Sequence, residues 1–108
     1  MRIFVTGASG FGGGAATKRC VADGHEVTAM SRSERSDAAI RALGATPVRC
    51  DLESVEAEHL RVAQAVVHCA AFVEQWGPPD AWRRFNDNGT ARMLKAAQEA
   101  GVKRFIHI

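Results

Sequence analysis

The sequence predicts an α/β fold, a doubly wound parallel sheet with strand order 3-2-1-4-5, and two observations carry that prediction. A short apolar run, Ile3-Phe4-Val5, is broken at once by a turn in which Gly7, Gly10 and Gly13 stand three apart, and a helix-compatible segment follows. Three times, at Gly24, Gly44 and Gly101, a helical segment is closed by glycine and followed by a β-rich run. Strand and helix alternating through such short joints imply right-handed crossovers, and hence a parallel sheet covered on both faces.

Taken in order, the first strand is Ile3 to Val5 and the first helix Phe11 to Asp23. Ala15, Ala16, Lys18, Arg19 and Ala22 favour that helix, whereas Gly12 and Gly14 weaken its first turn by about 1 kcal/mol each relative to alanine. Gly24 stands where a left-handed cap favours glycine. Glu26 to Ser31 is the second strand. Ser33 or Ser36 caps a helix reaching about Leu43, and Gly44 ends it. Thr46 to Cys50 is a short third strand. Its Pro47 cannot donate to a ladder, which puts the strand at a sheet edge.

Leu52 to Arg61 is expected to hold a helical turn or two. Ala65 to Ala70 is a continuous apolar run, as for a strand covered on both faces. Phe72 to Pro79 reads as a loop. Asp80 caps a long helix to Ala100, with Phe85, Met93, Leu94 and Ala97 on its apolar side. Lys103 to Ile108 starts a fifth strand, and the sequence given stops there. An apolar edge strand invites aggregation. The expectation is therefore a sheet truncated after its fifth strand: the first half of a longer protein, or one whose missing edge a partner covers.

With 108 residues, 46% of them apolar and 24% charged, the chain can bury one small core beneath a soluble surface. A formal charge of +2 gives no argument for nucleic acid or for an acidic membrane surface. No apolar run approaches the roughly 18 residues of a spanning helix, and the N-terminus lacks the pattern of a signal peptide. Cys20, Cys50 and Cys69 are odd in number and scattered, which predicts buried free thiols in a reducing cytoplasm rather than a disulfide framework. With His25, His59, His68 and His107 they form no metal-ligand spacing. His68 and Cys69, adjacent on a strand, point to opposite faces, and His68 is expected to be packed rather than catalytic.

Strand, glycine turn and helix together present bare backbone N–H groups and a helix N-terminus to a phosphate. The glycines allow the tight turn, the close approach of backbone to pyrophosphate and the close packing of helix on strand. A flexible linker would not be flanked by a strand on one side and a helix with its own stop on the other. The turn therefore reads as the pyrophosphate site of a dinucleotide. An acid at the end of the second strand, about 20 residues on, takes the ribose 2′-hydroxyl; an arginine there accommodates a 2′-phosphate. Here the strand ends Met30-Ser31-Arg32-Ser33, with Arg35 nearby and no acid before Glu34. NADP(H) is thus preferred, and NAD(H) remains open. The bland alternative for Arg32 is a solvated loop arginine.

Thr6-Gly7-Ala8-Ser9-Gly10-Phe11-Gly12-Gly13 resembles the TGxxGxxG signature of the extended short-chain dehydrogenase/reductases, the family that includes NAD(P)-dependent epimerases and dehydratases. The resemblance continues through Cys50-Asp51-Leu52, Val67-His68-Cys69-Ala70-Ala71, Asn86-Asp87-Asn88-Gly89-Thr90 and Gly101-Val102-Lys103-Arg104-Phe105-Ile106. It covers essentially the whole chain. The loop from Ala71 to Pro79 is similar to that of the 3β-hydroxysteroid dehydrogenase and dihydroflavonol reductase branch.

By this resemblance, residues 1–108 form the N-terminal part of an NAD(P)-binding Rossmann domain. Gly7, Gly10, Phe11 and Gly13 would hold the pyrophosphate, and Arg32 the 2′-phosphate. Asp51 and Leu52 would flank adenine; otherwise Asp51 is a turn residue closing the third strand. Ala70 and Ala71 would line the riboses. Asn86 would help to order the active site, unless it is an ordinary polar residue early in its helix. Gly12 and Asp87 depart from the family, which usually carries apolar residues at both positions.

The family's reaction needs a serine and a tyrosine, with a lysine four residues after the tyrosine to lower its pKa. This sequence contains no tyrosine. The resemblance implies hydride transfer between NADP(H) and a hydroxyl or carbonyl of a small organic substrate, with the proton-transfer residues beyond Ile108. A non-catalytic NADP(H)-binding regulator and an NAD-dependent nucleotide-sugar epimerase or dehydratase are the alternatives. No nucleic-acid or membrane partner is expected, and a homodimer is left open.

Overall fold

The structure, a computed structural model, describes residues 1–8, 11–51, 54–61, 63–69 and 91–107. Its elements are β1 (Arg2–Thr6), α1 (Phe11–Ala22), β2 (Glu26–Ser31), α2 (Glu34–Ala42), β3 (Thr46–Arg49), a 3-10 turn (Ala57–Leu60), β4 (Ala65–His68), a helix α3 over 91–100, and β5 (Arg104–His107). The five strands form one parallel sheet in the order β3-β2-β1-β4-β5. This is the predicted doubly wound, Rossmann-like order, and Pro47 lies on the outer strand β3.

The pleat divides the core into two layers. Ile3, Val5, Val27, Ala29, Ala65 and Val67 point to the face that carries Ile40 of α2 and, at its margin, Ala16, Cys20 and Val21 of α1. Phe4, Met30 and Val66 point to the opposite face, against Val55, Leu60, Met93, Ala96 and Ala97. Alternate residues of each central strand are thus buried on opposite sides, which explains why these strands read as continuous apolar runs. Gly24, Gly44 and Gly101, which close the three helices, all have positive φ (86°, 89° and 78°).

Several boundaries are tighter than expected. Ser33, not Ser36, caps α2: its Oγ accepts from the Ser36 N–H at 3.2 Å. β3 stops at Arg49, although the Cys50 N–H still donates to the Ser31 carbonyl. Leu94 is corrected most clearly, being 41% exposed. The buried stripe of α3 runs through Met93, Ala96 and Ala97, and Leu94 lies about 100° round the helix from Met93. The loop 72–79, the start of α3 at Asp80, and Phe85 lie outside the described residues. No helix among those described is long and apolar enough to cross a membrane.

A candidate dinucleotide site at the end of β1

β1 ends at Thr6, and Gly7 turns the chain with φ 71°. That left-handed conformation is open to glycine at no steric cost. α1 then comes back so close that a Cβ on Gly13 would lie 1.8 Å from the Gly7 carbonyl oxygen and 3.0 Å from the Ala8 nitrogen. Only glycine fits there. Thr17, fully buried one turn later, donates its hydroxyl to the Gly13 carbonyl at 2.7 Å, locking the first turns of α1. The first turn carries no acidic residue that would oppose an anion at this helix end.

The neighbouring strand is tied to the same point. The Thr6 Oγ1 accepts from the Cys69 N–H at 3.0 Å and lies 2.8 Å from the His68 Nδ1. His68 is wholly buried, with its ring 5.7 Å from that of Phe105. It is a packed histidine, as expected, and Cys69 faces the opposite core layer. The carboxyl ends of β1 and β4 are therefore held in fixed register where the glycine turn begins.

At the end of β2 the structure adds a cluster that sequence reasoning missed. The Ser31 Oγ donates to Asp37 Oδ1, and Arg49 on β3 pairs with Asp37 Oδ2. Ser31 and Arg49 are register partners across β2 and β3, so both reach the face on which α2 lies. The available signal was a serine at a strand end with an acid six residues on, in the first turn of the next helix. Arg32, the next residue after Ser31, is exposed and has no partner among the described residues.

The hydrogen bond from Ser31, reinforced by Arg49 and by the charge of Arg41, holds the Asp37 carboxyl below the ordinary carboxylate range, against the opposing effect of burial. A folded-state pKa below the unfolded value stabilises the fold above the unfolded pKa of about 3.9, and that stabilisation is lost as the pH falls through the folded pKa. Asp37→Asn should therefore be less stable than wild type at pH 7. The gap should close as the pH is taken well below 4, as read by denaturant midpoints measured across that range.

Asp51 closes the turn after β3. Its Oδ1 accepts from the Ser54 N–H at 2.8 Å, and the Ser54 Oγ accepts from the Asp51 N–H at 3.0 Å. The turn role weighed for Asp51 is thus present. Gly10, Leu52, Ala70, Ala71 and Asn86 lie outside the described residues, as does Asp87; Phe11 opens α1. Cys20, Cys50 and Cys69 are free thiols, but only Cys50 is fully buried; Cys20 and Cys69 are half-buried. Burial raises all three pKa values, that of Cys50 to about 11 with the help of the Asp51 charge. No group of three or more His, Cys, Asp or Glu among the described residues is placed to hold a metal ion.

A family model described as NAD(P)H-binding matches residues 7–108. The chain belongs to that NAD(P)H-binding family. Its relatives are short-chain dehydrogenase/reductases and NAD-dependent epimerases and dehydratases. A farnesyl-dihydroquinoline-oxide ketoreductase of Stigmatella aurantiaca is 36% identical over 110 residues, covering 100% of this chain and 33% of the relative. Among solved structures, a UDP-glucose-4-epimerase of Stenotrophomonas maltophila with bound NAD superposes with a TM-score of 0.85 at 25% identity, covering 99% of this chain and 36% of that one. A short-chain dehydrogenase/reductase superfamily protein of Agrobacterium tumefaciens, also with bound NAD, gives 0.79 at 30% identity, covering 99% and 32%. The chain thus spans about a third of the length of the relatives it matches. Their likeness covers the whole sheet.

Proposed function

We propose that residues 1–108 are the N-terminal part of an NAD(P)-binding Rossmann domain, and serve as the cofactor platform of an NADP(H)-dependent oxidoreductase. The reaction would be hydride transfer to or from a carbonyl or hydroxyl of a small organic substrate. The single observation that carries the reading is the approach of Gly13 to the Gly7 carbonyl, closer than any side chain allows. It seats the start of α1 directly against the backbone of the turn, the strand–turn–helix junction that a pyrophosphate site needs.

In this reading Gly7, Gly10, Phe11 and Gly13 hold the pyrophosphate, and Arg32 meets the 2′-phosphate. Asp51 and Leu52 flank adenine, Ala70 and Ala71 line the riboses, and Asn86 supports the active site. The nicotinamide, when bound, supplies the hydride. The ketoreductase likeness favours a reductase. The likeness to an NAD-bound UDP-glucose-4-epimerase favours a second reading, a tightly held and recycled NAD(H). Arg32 speaks against that one, since a 2′-hydroxyl calls for an acid.

The test is a pair of fluorescence titrations of the intact protein with NADPH and NADH, followed by NADPH oxidation with a panel of small ketones. Tighter NADPH binding with ketone-dependent oxidation is expected. Preferential NADH binding with no net oxidation would favour the epimerase reading, and binding of neither would remove the cofactor role altogether.

A further inference from the structure

We propose that the Asp37–Arg49 ion pair is a cofactor-specificity device, in which Arg49 from the neighbouring strand occupies a carboxylate that would otherwise select the ribose 2′-hydroxyl. The inference rests on the NADP(H) reading and deepens it. The fold brings Asp37 to the end of β2: its Oδ1 accepts from Ser31, the last residue of that strand, and its side chain is only 16% exposed. A Rossmann unit carries its hydroxyl-binding acid near this strand end, about 20 residues beyond the glycines, and Asp37 lies within reach of that spacing. A free carboxylate here would accept from a 2′-hydroxyl and repel a 2′-phosphate.

Arg49 reverses both effects. It is the register partner of Ser31, so its side chain rises on the same face and meets the second Asp37 oxygen. With one oxygen on a serine hydroxyl and the other on a guanidinium, the carboxylate is neutralised and turned inward. The same network shapes the loop that presents Arg32. The Ser31 Oγ also lies 3.1 Å from the Ser33 carbonyl, which accepts from the Asp37 N–H at 2.9 Å. Arg32 is thereby left exposed between two anchored serines. Between positions 31 and 49 the chain carries four arginines (Arg32, Arg35, Arg41 and Arg49) against two acids. The second acid, Glu34, is exposed at the start of α2.

The test measures dissociation constants for NADPH and NADH on the intact protein, in wild type and variants. Removing the guanidinium forfeits a charge-assisted bond and frees the carboxylate, so Arg49→Gln should lower the NADPH-over-NADH preference by roughly tenfold or more. Asp37→Asn combined with Arg49→Gln should recover most of that loss, because no carboxylate is left to free. A purely structural role for Arg49 would not produce this recovery. Arg49→Lys keeps the cation and should keep the preference, which guards against misfolding of the glutamine variant.

An unchanged preference in Arg49→Gln overturns the inference while leaving the NADP(H) reading in place. So does a double variant as impaired as the single one. A shift in Glu34→Gln as large as that in Arg49→Gln overturns it by moving the discriminating acid to Glu34. A wild type that prefers NADH removes the NADP(H) reading, and this inference with it.

Discussion

Replacing Gly13 by alanine should cost the protein both stability and cofactor. The new Cβ would sit 1.8 Å from the Gly7 oxygen and 2.4 Å from its carbon, and both are backbone atoms that cannot swing aside. Either α1 lifts off β1 or the glycine turn is remodelled. Overpacking in a tight core costs about 1–3 kcal/mol, and more where backbone must move, so a loss of about 3 kcal/mol or more is expected in urea denaturation. Affinity should fall as well. Displaced N–H groups each forfeit a hydrogen bond to a charged acceptor worth about 1.5–3 kcal/mol, and losing two of them means a loss of about 100-fold or more in NADPH binding.

Gly24→Ala is the matched control. That residue has φ 86°, but a Cβ there meets nothing within 4 Å. Only the left-handed strain of about 1–2 kcal/mol remains, and nucleotide binding should not change. If Gly13→Ala binds NADPH as wild type does, the close approach of α1 to the turn has no part in holding the cofactor.

The contrast between those two glycines shows what was legible in the sequence. Spacing placed Gly7 in the turn after the first strand and Gly13 at the start of the first helix, and placed Gly24, Gly44 and Gly101 at helix ends, because backbone constraints are local and leave glycine as their mark. Strand order followed from the same local signals, with Pro47 marking the edge. Contacts between distant side chains were not legible. Ser31 and Asp37 are six apart, and Asp37 and Arg49 twelve apart; they meet only because β3 pairs with β2 in one particular register. Reading the strand end for an acid one or two residues away therefore overlooked the acid that the next helix supplies. Leu94 failed for a related reason. Leu94 and Ala97 do share a helical side, but Met93 sets the buried stripe through 96 and 97, and one residue of offset is about 100°.

Thr6→Val should produce the second-largest effect, again through a contact that sequence distance concealed. Valine keeps the volume of threonine and removes only the hydroxyl. That hydroxyl is fully buried, accepts from the Cys69 N–H and lies 2.8 Å from the His68 Nδ1, across 62 positions of sequence. The Cys69 N–H keeps its longer bond to the Thr6 carbonyl at 3.3 Å, so the loss falls mainly on His68, itself wholly buried. Depriving a buried polar group of a partner costs about 1–3 kcal/mol, and the expected drop in unfolding free energy lies within that range. Thr6→Ser keeps the hydroxyl and loses one methyl, at about 1 kcal/mol. The ordering wild type, then serine, then valine is therefore expected in urea denaturation. A valine variant more stable than the serine one would mean that the side chain at position 6 acts through its volume, and that the hydroxyl bridging β1 to β4 contributes nothing to the register at the mouth of the glycine turn.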